Sequence, residues 1–339
     1  MSIRQGAGRI GFVVALLSTA CTDAPASRAL IERTRVAMGS ELRLAAWTAD
    51  EAAAVAAFDS VFREFERLES LMSVWRDGGD VVRMNAAAGE RAVPVSPDTI
   101  EVLTAAAEAS RWSGGKFDIT FGALADLWKF DHDQDNTVPD RAAIEGRLPL
   151  VDYTVVQVDR AAGTAFISRR GSRVHLGGIG KGYAVDRAIA LLRERGLSDF
   201  LIQSGGDLYV AGTNNGLPWT LGINDPRGPA GRAFATVDLS NATLSTSGDY
   251  ERFFIKDGVR YHHLIDPDRG EPARGCRSVA IVAEKALLAD ALSTAVFILG
   301  PADGMALVER LPGVEAVIVS ATNAVLVSSG LIGKVAMPA

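Results

Sequence analysis

Apolar side chains recur every three or four positions between residues 50 and 72. Val55, Phe58, Phe62, Phe65 and Leu68 share one helical face, and the positions between them are mostly small or charged. This spacing predicts a long amphipathic helix, followed by a turn at the glycine pair of RDGGD. Ser96-Pro97 predicts the start of a second helix, with serine as the cap and proline in the first helical position, running to about Trp112. Upstream, RTRVAMGSELRLAAW alternates in the manner of a strand pair or a bulged strand. Between Lys116 and Leu150 the pattern allows two short helical pieces around the acidic stretch DHDQDN. Beyond residue 150 it changes to short β-branched runs separated by Gly, Asn and Asp. Helical spacing returns at 182–195, 285–298 and 301–310, and VEAVIVS and AVLVSS read as the last strands. The sum is an α+β fold, a mixed, largely antiparallel sheet flanked by helices, with a division into two lobes near residue 150 left open.

Composition narrows the classes. The chain has 339 residues, 48% hydrophobic and 22% charged, with a formal charge of −6. That balance gives no electrostatic reason to bind nucleic acid or anionic lipid broadly. No apolar run reaches the roughly 18 residues of a membrane-spanning helix. The N-terminus stands apart. Arg4 and Arg9 precede the apolar stretch Gly11–Leu17, then Ser18, Thr19, Ala20 and Cys21, the layout of a secretory signal. A cysteine directly after small residues is the mark of a bacterial lipoprotein, lipidated at Cys21, although Ser18 stands where leucine is usual. The alternative is an ordinary secretory leader. We therefore expect a signal peptide over 1–21, a tether over 22–32 and a folded domain over 33–339 that works outside the cytoplasm. Cys276 would be the one cysteine left, packed in the strand-like run CRSVAIVA. With four histidines and two cysteines in the chain, none in ligand spacing, a zinc site is not expected.

Five segments carry candidate chemistry. HLGGIGKGYAVD (175–186) places glycines and Lys181 before a helix. It matches neither the P-loop, since Gly182 follows the lysine, nor G-x-G-x-x-G, since Tyr183 takes the third glycine's place. A helix N-terminus with a lysine can hold phosphate, and the same glycines can equally form a tight structural turn. In ADALSTAVFILG, Asp290 and Thr294 lie four apart on one helical face with Ser293 beside them, hard oxygen donors of the kind magnesium accepts. Helix capping is the plainer role for that aspartate. In YHHLIDPDRGEPA a histidine is a candidate general base, but strand alternation prevents His262 and His263 from facing one site. STSGDYERFF and SGGDLYVAG read as turns between strands.

Taken in order, MGS (38–40), MSVW (72–75), GGKFD (114–118) and these five segments resemble the ApbE family of FAD:protein FMN transferases, over residues 33 to about 330. The resemblance implies an enzyme that binds FAD, cuts its pyrophosphate with Mg2+ and passes FMN to a threonine or serine hydroxyl of a target protein, releasing AMP. FAD would lie in a cleft. Met38, Trp75, Lys116, Phe117, Asp118, His175, Lys181 and Ile265 fall at FAD-contacting positions. Gly178 (through its carbonyl), Asp290, Ser293 and Thr294 fall at or beside metal-ligand positions. His263 falls at the place of the base, with Lys181 assisting. Family members commonly carry aspartate where this chain has His175, exchanging a pure acceptor for a group that is donor and acceptor at once. The implied partners are redox subunits of the Rnf and Nqr kind. The implied location is the periplasmic side of a bacterial membrane, the inner membrane being favoured, with the anchor on Cys21. Two other activities use the same residues: an FAD pyrophosphatase giving free FMN and AMP, and a flavin-carrying lipoprotein without chemistry.

Overall fold

The computed structural model describes residues 27–337 apart from His132 and Ala230, so the leader, Cys21 and the start of the tether lie outside the described residues. The strand pair is real. Ala29–Ala37 and Ser40–Thr48 pair antiparallel through a two-residue turn at Met38-Gly39, both with left-handed φ of 50° and 70°. Because pairing starts at Ala29, ordered structure begins inside the stretch expected to be tether.

These strands open an eight-stranded sheet that continues through Phe200–Ser204, Asp207–Ala211, Ala242–Gly248, Cys276–Ala283, Glu315–Ser320 and Val325–Val327. All its ladders are antiparallel, and the one parallel pairing among the described residues is the isolated bridge Phe121–Arg173. One sheet thus takes strands from both ends of the chain, and a cut near residue 150 would divide it.

Strand alternation sorts its two faces. Leu42, Leu44 and Ala46 turn to a layer of helices, while Ala45 turns to a three-stranded sheet containing Trp219, Leu221 and Val237. The helices are Glu51–Met72, Pro97–Trp112, Gly180–Glu194 and Ala286–Leu299, with Pro301–Val308 following. Asp50 caps the first by accepting from Ala53 N–H at 2.9 Å, and Ser96 caps the second by accepting from Thr99 N–H at 3.1 Å. Phe58, Phe65 and Leu68 are wholly buried, and Cys276 is buried and unpaired. Phe65→Ala should therefore cost about 3–5 kcal/mol, read as a lower urea midpoint at an unchanged m-value.

Candidate active site

The glycine loop and the acidic helix meet backbone to side chain. A Cβ on Gly182 would lie 2.3 Å from the carbonyl oxygen of Ala286 and 2.7 Å from Cβ of Asp290. That closeness lets Gly182 N–H donate to the Asp290 carboxylate at 2.9 Å. One turn further along the glycine helix, Asp186 accepts from Ala286 and Leu287 N–H at 2.8 and 3.0 Å. Asp186 is thus the cap of the Ala286–Leu299 helix, and capping is not what Asp290 does. Asp290 sits a turn inside, 4% exposed. Burial, reinforced by the charge of Asp207 and opposed by Lys181, pushes its carboxyl up to about 7.

Lys181 is held among acids. Its ammonium is 3.2 Å from Asp207, 3.8 Å from Asp290 and 3.4 Å from the carbonyl of Gly177. Burial works against its charge, but Asp207 and Asp290 outweigh it and hold the lysine above its usual range. Beside them is a row of hydroxyls. Ser247 Oγ lies 2.8 Å from Ser293 Oγ and 3.2 Å from Thr294 Oγ1, and Ser293 also donates to the carbonyl of Asp290 at 2.8 Å. Gly178 comes close to this row: a Cβ there would sit 3.4 Å from Thr294 Oγ1. Gly178, Lys181, Asp290 and Thr294 are therefore one cluster on the wall of a long cleft, while Ser293 is buried behind it.

The histidines divide as strand alternation requires. His262 is buried, its Nε2 2.8 Å from the carbonyl of Ala273 and its Nδ1 accepting from Leu264 N–H at 3.3 Å, which makes it structural. His263 lines the cleft. Its Nδ1 lies 3.4 Å from the carbonyl of Arg252. A carbonyl only accepts, so Nδ1 carries the ring proton and Nε2 keeps a free lone pair. Burial, with Arg252 and His262 beside it, pushes the ring down to about 3, so it is neutral near pH 7.

The remaining expected residues spread along the same cleft. Phe117 and Ile265 are buried walls, and Trp75 stands at the rim, 56% exposed. Met38 lines an adjoining hollow that shares Trp75, His175 and Lys181. Lys116 also faces the cleft, but its ammonium is engaged by Asp266 at 2.7 Å and Asp268 at 2.8 Å. Asp118 spends both oxygens on backbone, one accepting from Thr120 N–H in its own loop at 2.7 Å and the other from the distant Tyr153 N–H at 2.8 Å. His175 Nδ1 accepts from Gly177 N–H at 3.1 Å, so its proton is on Nε2. Burial, opposed by Asp131, pushes its ring down to about 4.

Four residues that bear on the site had no assigned role in the sequence reading: Asp207, Ser247, Asp186 and Arg252, the last paired with Asp131 at 2.6 Å. All four lay in plain view inside SGGDLYVAG, STSGDYERFF and HLGGIGKGYAVD, but each acts on a partner far along the chain. No group of three or more His, Cys, Asp or Glu that could hold a metal occurs among the described residues. Any cation here would have to use hydroxyl, carbonyl and ligand oxygens around Asp290.

Two helices and a strand end that bring a lysine, a buried carboxylate and paired hydroxyls to a glycine loop define a nucleotide-handling class of site. The chain belongs to the ApbE family, whose sequence profile matches residues 38–318. It is 33% identical over 344 residues to the FAD:protein FMN transferase of Treponema pallidum, covering 96% of this chain and 95% of that one. A Klebsiella pneumoniae protein of the same name is 32% identical, with 87% and 90% covered. Among solved structures, the ApbE protein of Thermotoga maritima superposes with a TM-score of 0.83 at 32% identity, covering 90% of this chain and 99% of that one. The Vibrio cholerae flavin transferase ApbE shares the fold, with a TM-score of 0.81 at 24% identity.

Proposed function

We propose that this chain transfers FMN from FAD to a hydroxyl on an acceptor protein and releases AMP. One arrangement carries the reading: a lysine, a buried carboxylate and a hydroxyl row on one wall of a cleft whose lining also includes a histidine with a free Nε2 lone pair. The names of the full-length relatives agree with it. In the reaction the bond between the two phosphates of FAD breaks, a new phosphoester forms to the acceptor oxygen, and AMP leaves with the bridging oxygen. His263 Nε2 takes the acceptor's hydroxyl proton. Lys181 faces the phosphates and offsets their charge.

The donor set fits magnesium. Asp290 is a nearly desolvated carboxylate whose anionic form lacks a full counter-charge, Thr294 lies one turn on along the same helix, and a Cβ on Gly178 would sit 3.4 Å from the Thr294 hydroxyl. Those three would hold the ion, with Ser247 beside Thr294 on the cleft wall and Ser293 behind. Bound there, Mg2+ would neutralise charge growing on the phosphate oxygens. The anchor on Cys21, the periplasmic location and acceptors of the Rnf and Nqr kind complete the proposal, and they rest on the leader pattern and the resemblance.

The test is incubation with FAD, Mg2+ and the FMN-binding domain of such a redox subunit. A mass gain of one FMN on the acceptor supports transfer. Free FMN with no acceptor gain would make the chain a pyrophosphatase, and FAD binding without cleavage a carrier. His263→Gln should lower the transfer rate about 10²–10⁴-fold while FAD affinity, followed by flavin fluorescence, stays unchanged.

A further inference from the structure

The hairpin Phe253–Lys256/Val259–His262 is a two-stranded sheet of its own, springing from the cleft. Arg252 leads into it and His263 leads out, and both line the cleft. His263 N–H donates to the Arg252 carbonyl at 3.2 Å, which makes residues 252 and 263 a hydrogen-bonded pair. Antiparallel ladders alternate, so Phe254/Tyr261 and Lys256/Val259 are the next such pairs. The N–H and C=O groups of Phe253 and Ile255 therefore point away from the partner strand.

The two outer edges of this hairpin are treated differently. Along Val259–His262, Arg274 donates to the Arg260 carbonyl at 2.6 Å and lies over the Tyr261 ring, while the His262 ring is fixed to Ala273. Along Phe253–Lys256, no backbone hydrogen bond from outside the hairpin reaches Phe253 or Ile255 among the described residues. Ile255 is 58% exposed there. Arg260, stacked 3.7 Å from the Phe253 ring, braces the strand from within the hairpin. An open edge bearing an exposed apolar side chain is a template for another strand, which folded proteins usually cover or blunt with charge.

We propose that this edge docks the acceptor polypeptide. An extended segment of the acceptor pairs with Phe253–Lys256 as a third strand, and its hydroxyl residue, at the Arg252 end, arrives beside Nε2 of His263. The occupant follows from continuity: the edge runs directly into the cleft wall that holds the histidine, and under the FMN-transfer reading, on which this inference rests, a polypeptide must reach that histidine. Main-chain pairing supplies affinity with little demand on sequence, and the apolar Ile255 adds a side-chain contact.

Ile255→Pro tests it, because proline deletes the outward N–H and is tolerated at a strand edge. The acceptor KM should rise about tenfold or more, the equivalent of a lost main-chain hydrogen bond, with kcat and the FAD dissociation constant unchanged, while Ile255→Ala, which keeps the N–H and loses only the side-chain contact, raises it by less. An unchanged acceptor KM in Ile255→Pro overturns the proposal. Should that variant lose FAD binding through misfolding, hydrogen exchange on the wild-type enzyme with FAD decides. Adding acceptor domain whose hydroxyl residue is replaced by valine should protect the outward amides of Phe253 and Ile255 and leave those of 259–262 as they were. Protection elsewhere on the cleft rim overturns it, and so does protection that grows with enzyme concentration alone, which would assign the edge to a second copy. If wild-type enzyme transfers no FMN to the intact acceptor, it is the transfer reading that fails.

Discussion

Asp290→Asn is expected to lower FMN transfer about a thousandfold or more while the protein folds normally and, without metal, resists denaturant better than the parent. The activity loss follows from charge. A cation held at Asp290 would supply several kcal/mol of charge stabilisation in the transition state, and each 1.36 kcal/mol is tenfold in rate. Asparagine keeps an oxygen to accept from Gly182 N–H but cannot hold that cation with a negative charge. The stability gain follows from burial. Asp290 is pushed from 3.8 up to about 7, chiefly by desolvation and then by Asp207. A carboxyl whose folded pKa is raised loses stability for the fold as pH rises from its unfolded value towards its folded one, and the full cost is present above both. Between about pH 4 and pH 7 the metal-free parent should therefore weaken through this group, and Asp290→Asn should lack that component. Urea titrations at several pH values, paired with transfer assays, read both halves. A variant that is inactive and also unstable at neutral pH would mean that Asp290 serves the fold.

The same shift predicts an acid limb for metal-dependent turnover. Protons compete with the cation for Asp290, so the Mg2+ concentration needed for half-maximal rate should climb as pH falls below about 7. His263, pushed down to about 3, contributes nothing to that limb.

What could be read beforehand divides along a physical line. The helices Glu51–Met72 and Pro97–Trp112 were legible because their determinants are local: phenylalanines at helical spacing, a serine and a proline at one end. Strand alternation likewise separated His262 from His263. The resemblance placed His263 in the site, and the structure supplied the tautomer that leaves its Nε2 bare. The glycine loop was ambiguous in sequence because its determinants are remote. Gly182 is glycine on account of Ala286 and Asp290, more than a hundred residues later. Asp290 looked like a possible cap because the true cap, Asp186, belongs to another helix. Asp207 went unassigned for the same reason, since Ser245 reaches it only through strand pairing and Lys181 only through the packing of a helix on the sheet. Asp118 and Lys116, placed by resemblance at ligand positions, hold loop N–H groups and two neighbouring acids, and nothing short of coordinates reveals such commitments.

Gly182→Ala is the second large effect, and it separates a phosphate-cradling glycine from a packing one. One methyl group at this position meets the Ala286 carbonyl oxygen at 2.3 Å and Cβ of Asp290 at 2.7 Å, and neither is the loose end of a flexible side chain. The two helices must separate, at a cost of about 1–3 kcal/mol or more. Separation also stretches the 2.9 Å bond from Gly182 N–H to the Asp290 carboxylate and moves Asp290 relative to Thr294 and Lys181. A misplacement near 1 Å costs about a hundredfold in rate. Measured well below its melting midpoint, the folded variant should accordingly show transfer reduced about a hundredfold, together with a raised Mg2+ requirement. Gly146→Ala is the control, since it lies in the helix Arg141–Arg147 with nothing within 4 Å of its added Cβ. It should be neutral or slightly stabilising and keep full activity. If Gly182→Ala loses stability yet retains the wild-type rate and metal dependence, the contact between the two helices shapes the core and leaves the position of Asp290 untouched.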